Sequence, residues 1–170
     1  HALIGGKSCK NLLILYKHCS GIEIRGAKRM ANNELRNHDN LENGHDFLLD
    51  YEKLKKVASC GQGVVPVAVQ DIDSLEILIV AYVNQIALDY ALENKVATFW
   101  STSRNELWIK GATSGDFLDL IEIRVNCEQN SVLYMVRPRG QGACHTKDSR
   151  GLSRKSCYYR RLDKGILDFI

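Results

Sequence analysis

From Val64 to Val136 the chain is cut by turn residues into short β-branched stretches, which confines it to folds built on a sheet of short strands. Residues 64–70 (VVPVAVQ) read as a strand, Asp71-Ile72-Asp73-Ser74 as a turn, and residues 76–83 (EILIVAYV) as the returning strand of a hairpin. Pro66 lacks an N–H, which predicts an edge position or a strand start. Residues 84–94 change period: Asn84 suits a cap, and Ile86, Ala87, Tyr90 and Ala91 share one helical face. Short strands are expected over residues 96–101, 106–110, 118–125 and 132–136. Upstream, residues 46–58 put Phe47, Leu48, Tyr51, Leu54 and Val57 on one face of a short helix, which Cys60-Gly61-Gln62-Gly63 ends. The expected class is α+β, a mainly antiparallel β-sheet with a few short helices.

The 170 residues allow one domain with an appendage. Residues 1–45 are expected to be a variable, partly disordered N-terminal extension, residues 46–162 the domain and residues 163–170 a C-terminal tail. Residues 1–22 hold no acid but carry Lys7, Lys10 and Lys17, as a targeting leader would, yet they lack arginine and are poor in serine. Met30, followed by a polar Ala31-Asn32-Asn33-Glu34, is the alternative biological start. Residues 32–45, rich in Asn, His, Asp and Glu, read as a solvated linker. The apolar run at residues 12–16 is far too short to span a bilayer, and a formal charge of +3 does not by itself argue for nucleic acid. No membrane or nucleic-acid partner is expected. Without a recognisable secretory signal, the cytoplasm is the expected compartment.

In a reducing compartment six cysteines point to metal binding or catalysis before disulfides. Cys9, Cys19 and Cys60 lie in plain surroundings, whereas Cys127, Cys144 and Cys157 sit in dense polar segments where apolar burial is the least natural use of a thiol. No two of them have the compact spacing of a zinc finger. Three protein ligands would leave zinc an open position for water, the mark of a catalytic site. Asn126, Glu128 and Asn130 flank Cys127, and strand alternation would set their oxygens on the opposite face from its sulfur. Oxygen ligands suit Mg²⁺, but with one carboxylate rather than several that reading is weak beside a turn of hydrated side chains. Residues 100–115 (WSTSRNELWIKGATSG) gather Arg104, Lys110, hydroxyls and glycines able to grip phosphate. From spacing alone the plainer account, a strand–turn–strand with solvated cations, is preferred.

Taken in order, VPVAVQD, AYVNQIAL, WSTSRNELWIKGATSG, EIRVNCEQN, GACHT and SCYYR resemble the phosphoribosyl-AMP cyclohydrolase family of histidine biosynthesis, over residues 63–160. The resemblance implies a hydrolase that opens the adenine ring of phosphoribosyl-AMP between N1 and C6, giving the formimino-aminoimidazole carboxamide ribotide. It implies zinc on Cys127, Cys144 and Cys157, magnesium at Asn126, Glu128 and Asn130, and an intertwined homodimer. It also implies a nucleotide site formed by Trp100, Ser101, Ser103, Arg104, Lys110, Thr113 and Ser114. His145, beside a proposed ligand, is the candidate general acid/base, with a role in orienting other groups as the alternative. Ligands spread over a strand end and a loop are also easily shared between two chains.

Three departures from the family pattern stand out. Asn126, Glu128 and Asn130 replace the usual aspartates; the loop between Cys144 and Cys157 is longer and adds Arg150, Arg154 and Lys155; Thr102 and Ile86 replace commoner basic and acidic residues. Two other readings follow: the same fold and zinc acting on another purine-like nucleotide, or a zinc-binding derivative that no longer catalyses.

Overall fold

The computed structural model describes residues 38–170. The expectations for residues 1–37, including the leader and the Met30 start, lie outside the described residues.

A four-stranded sheet organises the domain, with β1 (Val65–Asp71), β2 (Ile77–Val83), β5 (Leu118–Val125) and β6 (Val132–Pro138) in the order β2-β1-β6-β5. The expected β1–β2 hairpin forms, with Val67 opposite Ala81 and a register shift at Val69/Gln70. β5 and β6 are antiparallel, while β1 and β6 run parallel. The sheet is therefore mixed, though mainly antiparallel. Pro66 sits at a strand start and not on an edge strand. β1 is central, but its pairing with β6 begins only at Val67↔Val132, so no ladder bond to β6 is asked of the proline.

Helix α3 (Gln85–Asn94) starts where Asn84 Oδ1 accepts the Ala87 N–H at 2.9 Å, and it ends at Lys95 in the left-handed conformation. Its fully buried Ala87 and Ala91 bring it close against β2 and the β3 (Thr98–Ser101)–β4 (Glu106–Ile109) hairpin. That hairpin joins the start of β5 through Val96↔Asp119, Ala97 N–H to Leu118 O and Leu120 N–H to Lys95 O. The core between these layers holds Val67, Val69, Leu78, Leu118 and Val136, with Phe99 against Trp108 (5.1 Å) and Tyr134 (6.0 Å). Burying such side chains stabilises the fold by about 1.5–3 kcal/mol each.

Several expectations are corrected. The helix read over residues 46–58 is confined to α2, Lys53–Ala58, because Tyr51 and Leu54 stay exposed and only Val57 of the stripe is buried. Within the stretch read as a linker, His38–Asn43 forms α1. The segment read as a tail carries β8 (Ile166–Phe169), paired with β7 (Arg160–Asp163) around Lys164-Gly165, both at positive φ. Neither expected boundary is an edge. Tyr159 Oη donates to Glu42 O (2.7 Å), Arg160 donates to Leu41 O and Gly44 O, and Asp46 bridges to Ile166. Among the described residues, no helix is long and apolar enough to cross a membrane.

Candidate functional site

Residues 142–157 form an irregular ribbon folded back on itself. Ala143 and Cys144 donate their N–H groups to Lys155 O and Arg154 O, and Arg154 donates to Thr146 O, each at 3.0 Å. The ribbon's far strand is fixed to β2, where Cys157 N–H reaches Leu78 O (2.8 Å) and Ser156 Oγ reaches Ile77 O (2.7 Å). The close approach needs Gly142, since a Cβ there would collide with the carbonyl oxygens of Arg154 and Ser153. Gly142→Ala is therefore expected to lower stability by on the order of 1–3 kcal/mol, read as an earlier urea midpoint. An unchanged midpoint would mean the ribbon does not hold this approach in solution.

The ribbon brings two of the three expected thiols together. Cys144 is buried beside half-buried Cys157, close enough for the two sulfurs to interact, with Thr146 Oγ1 3.1 Å from the Cys144 sulfur. The hydrogen bond from Cys157, aided by Thr146 and opposed by burial, draws the Cys144 pKa down to about 5. Cys157 is pushed up in turn, because it gives the shared proton and because it is buried. Of the two coupled thiols, Cys144 is therefore the more readily ionised.

Cys127 stands apart. The chain leaves β5 at Val125, so Cys127 lies in an exposed turn with Gln129 at φ 53°, and the alternation expected to oppose it to its neighbours does not apply. Asn126, Glu128 and Asn130 are gathered on that turn by bonds to one another. Asn126 Oδ1 accepts from the N–H groups of Asn130 and Ser131 (3.0 Å each), Asn126 Nδ2 donates to Asn130 Oδ1 (2.8 Å), and Asn130 Nδ2 donates to Glu128 Oε2 (2.8 Å). Among the described residues, no three His, Cys, Asp or Glu side chains of one chain cluster as a metal site would need.

The residues expected at the nucleotide site divide between two clefts that share Trp108 and Ile79. One, of about 270 Å³, is lined by Lys110, Thr113, Ser114, His145 and Cys157. The other, of about 190 Å³, is lined by Trp100, Ser101, Thr102 and Ser103, with Lys53 on its wall. Arg104 lines neither; it pairs with Glu106 (2.9 Å) on the exposed β3–β4 turn. Lys110 is buried, with Nζ bonded to Asp116 O (3.0 Å), and desolvation lowers its pKa while Asp116 and the two thiols oppose that shift. Lys110 thus shares the cleft wall with Cys157. The Gly111 turn that follows, at φ 93°, packs against the Phe117 backbone and carries Thr113 and Ser114 to the rim.

His145 is exposed, and its Nε2 lies 2.7 Å from Glu42 Oε1 of α1. This hydrogen bond holds the Glu42 carboxyl below its ordinary range, so Glu42 is the anion and the imidazole the donor. Sequence reasoning missed Glu42 because it lies 103 residues away in a polar stretch with no periodicity. Trp108 was within reach, as an aromatic inside the phosphate-gripping segment.

Comparison with known proteins covers this region. A family profile described as phosphoribosyl-AMP cyclohydrolase matches residues 79–159. Three proteins of that name are similar. The one from Hyphomonas neptunium is 45% identical over 107 residues, 63% of this chain and 76% of its own length. That from Caulobacter vibrioides is 46% identical over 106 residues, 62% and 72%. That from Archaeoglobus fulgidus is 41% identical over 102 residues, 60% and 88%.

Proposed function

The chain belongs to the phosphoribosyl-AMP cyclohydrolase family, and on that premise we propose that it hydrolyses the adenine ring of phosphoribosyl-AMP between N1 and C6, using zinc. The observation that carries the reading is the pairing of Cys144 with Cys157, the latter on the wall of a cleft that also holds His145, Lys110, Thr113 and Ser114.

The donor set fits zinc. Two soft sulfurs lie within hydrogen-bond reach, and deprotonating the second is the ordinary accompaniment of metal binding. The missing third donor is Cys127 of the partner subunit in a homodimer, a reading supported by the exposure of Cys127 and its separation from the pair within one chain. Bound zinc supplies Lewis acidity, which brings the pKa of water down to about 7.

The chain's own residues do the rest. His145, its Nε2–H held by Glu42, keeps Nδ1 free to take a proton from the attacking water and return it to N1. The water oxygen becomes the carboxamide oxygen at C6, the C6–N1 bond breaks, and N1 leaves protonated. Lys110 offsets negative charge at the thiolates, Trp108 offers a ring face to the purine, and Thr113 and Ser114 offer hydroxyls to a phosphoribosyl group. For Asn126, Glu128 and Asn130 we favour locking the turn that presents Cys127 over binding magnesium, since their amide oxygens are bonded within the turn and only one carboxylate remains.

The test is zinc content of the purified full chain together with turnover of phosphoribosyl-AMP. Near-stoichiometric zinc with ring-opened product supports the reading. Zinc without turnover leaves another purine-like nucleotide or a non-catalytic derivative, and absence of both sinks it.

A further inference from the structure

A basic cavity outside the two clefts has no role in the reaction above. It measures about 460 Å³ and is lined by Asn43, Lys147, Asp148, Ser149, Arg154 and Phe169. The guanidinium of Arg154 lies against the Tyr159 ring (4.3 Å) and the Phe169 ring (4.9 Å), and its buried Nε has no hydrogen-bond partner among the described residues. Elsewhere, Arg104, Arg124, Arg137, Arg139 and Arg150 each pair with a carboxylate, and Arg160 donates to backbone carbonyls. No such acceptor meets Arg154 among the described residues, and a buried donor without one is costly.

The neighbouring charges leave that position cationic. Asp148 has its carboxylate taken up by the Arg150 guanidinium (2.8 Å) and by the N–H groups of Arg150 and Leu152. Among the described residues, Lys147 Nζ meets only the Ser153 hydroxyl (2.8 Å), and the Asn43 amide donates to Asp39 (3.0 Å). A planar guanidinium braced on aromatic faces, with a lysine beside it, matches the charge and the several acceptor oxygens of a phosphomonoester. The cavity also borders the chemistry. Arg154 O accepts the Cys144 N–H, and Asn43 follows the glutamate that holds His145.

We propose that Arg154 and Lys147 form a phosphate-binding site that grips one terminal phosphate of the substrate, an assignment that rests on the proposed function. Both residues come from the loop between Cys144 and Cys157, which is longer than the family pattern.

The test follows the Arg154 Nε–H signal by NMR in the full-length zinc-loaded protein during titration with inorganic phosphate, then with ribose 5-phosphate, with acetate as control. Both phosphates are expected to move it saturably and acetate to leave it in place. Arg154→Gln is expected to lose phosphate affinity and to raise KM for phosphoribosyl-AMP about tenfold or more, with kcat within about twofold. Arg154→Lys, which keeps charge and stem but loses the fork, is expected to fall between, and it replaces the glutamine variant should that one not fold. A signal unmoved by either phosphate, or an unchanged KM in a folded, zinc-loaded variant, overturns the proposal. Should the chain prove inactive on phosphoribosyl-AMP, the proposed function fails, while the phosphate titration of wild-type protein still decides the site.

Discussion

Cys144→Ala is expected to remove zinc from the protein and to leave less than about one thousandth of the wild-type rate. The substitution deletes the more readily ionised sulfur of the pair and leaves Cys157 alone. One thiol and an alanine do not hold a catalytic zinc. Cys127→Ala is expected to do the same, although Cys127 is exposed on the β5–β6 turn and bears no load in the chain's own core. Co-expression of the two variants separates the possible geometries. If the site is built across two subunits, each mixed dimer regains one intact site, and random pairing restores about a quarter of wild-type activity and zinc. If all three ligands came from one chain, mixing would restore nothing. A Cys144→Ala protein with full zinc and full rate would refute the thiolate site altogether.

The fold was legible where local chemistry decides it. Asn84 announced the start of α3, and β-branched runs bounded by turns located β1, β2, β5 and β6. Three things escaped for physical reasons. The parallel pairing of β1 with β6 depends on contacts between distant residues, which no local period reports. The β7–β8 hairpin turns at Lys164-Gly165, where a lysine takes a left-handed position usually signalled by Asn or Asp. Cys127 was given the alternation of a strand, yet the strand ends at Val125 as expected and Asn126 folds its amide over the following N–H groups to make a turn. For the site, residue type was readable and assembly was not. Nothing local pairs Cys144 with Cys157 across a ribbon, buries Lys110 beside them, or brings Glu42 to His145.

His145→Ala is expected to lower kcat by about 10²–10⁴ while zinc content and the urea midpoint stay at wild-type values. His145 is exposed, so its removal leaves no cavity. A structural role would move stability, whereas a proton-transfer role moves kcat alone. Glu42 sharpens the distinction. Its carboxylate accepts from Nε2 at 2.7 Å and also lies 3.5 Å from His38 Nδ1, so it fixes the imidazole from the α1 side. Glu42→Gln is expected to cost about tenfold to a hundredfold in kcat with little change in KM. The amide can still accept a hydrogen bond but no longer stabilises the imidazolium formed during transfer. In the His145→Ala background the Glu42 substitution should add almost nothing, because the two residues act as one unit. Independent, multiplicative losses in the double variant would separate Glu42 from the proton path and return it to a role in anchoring α1.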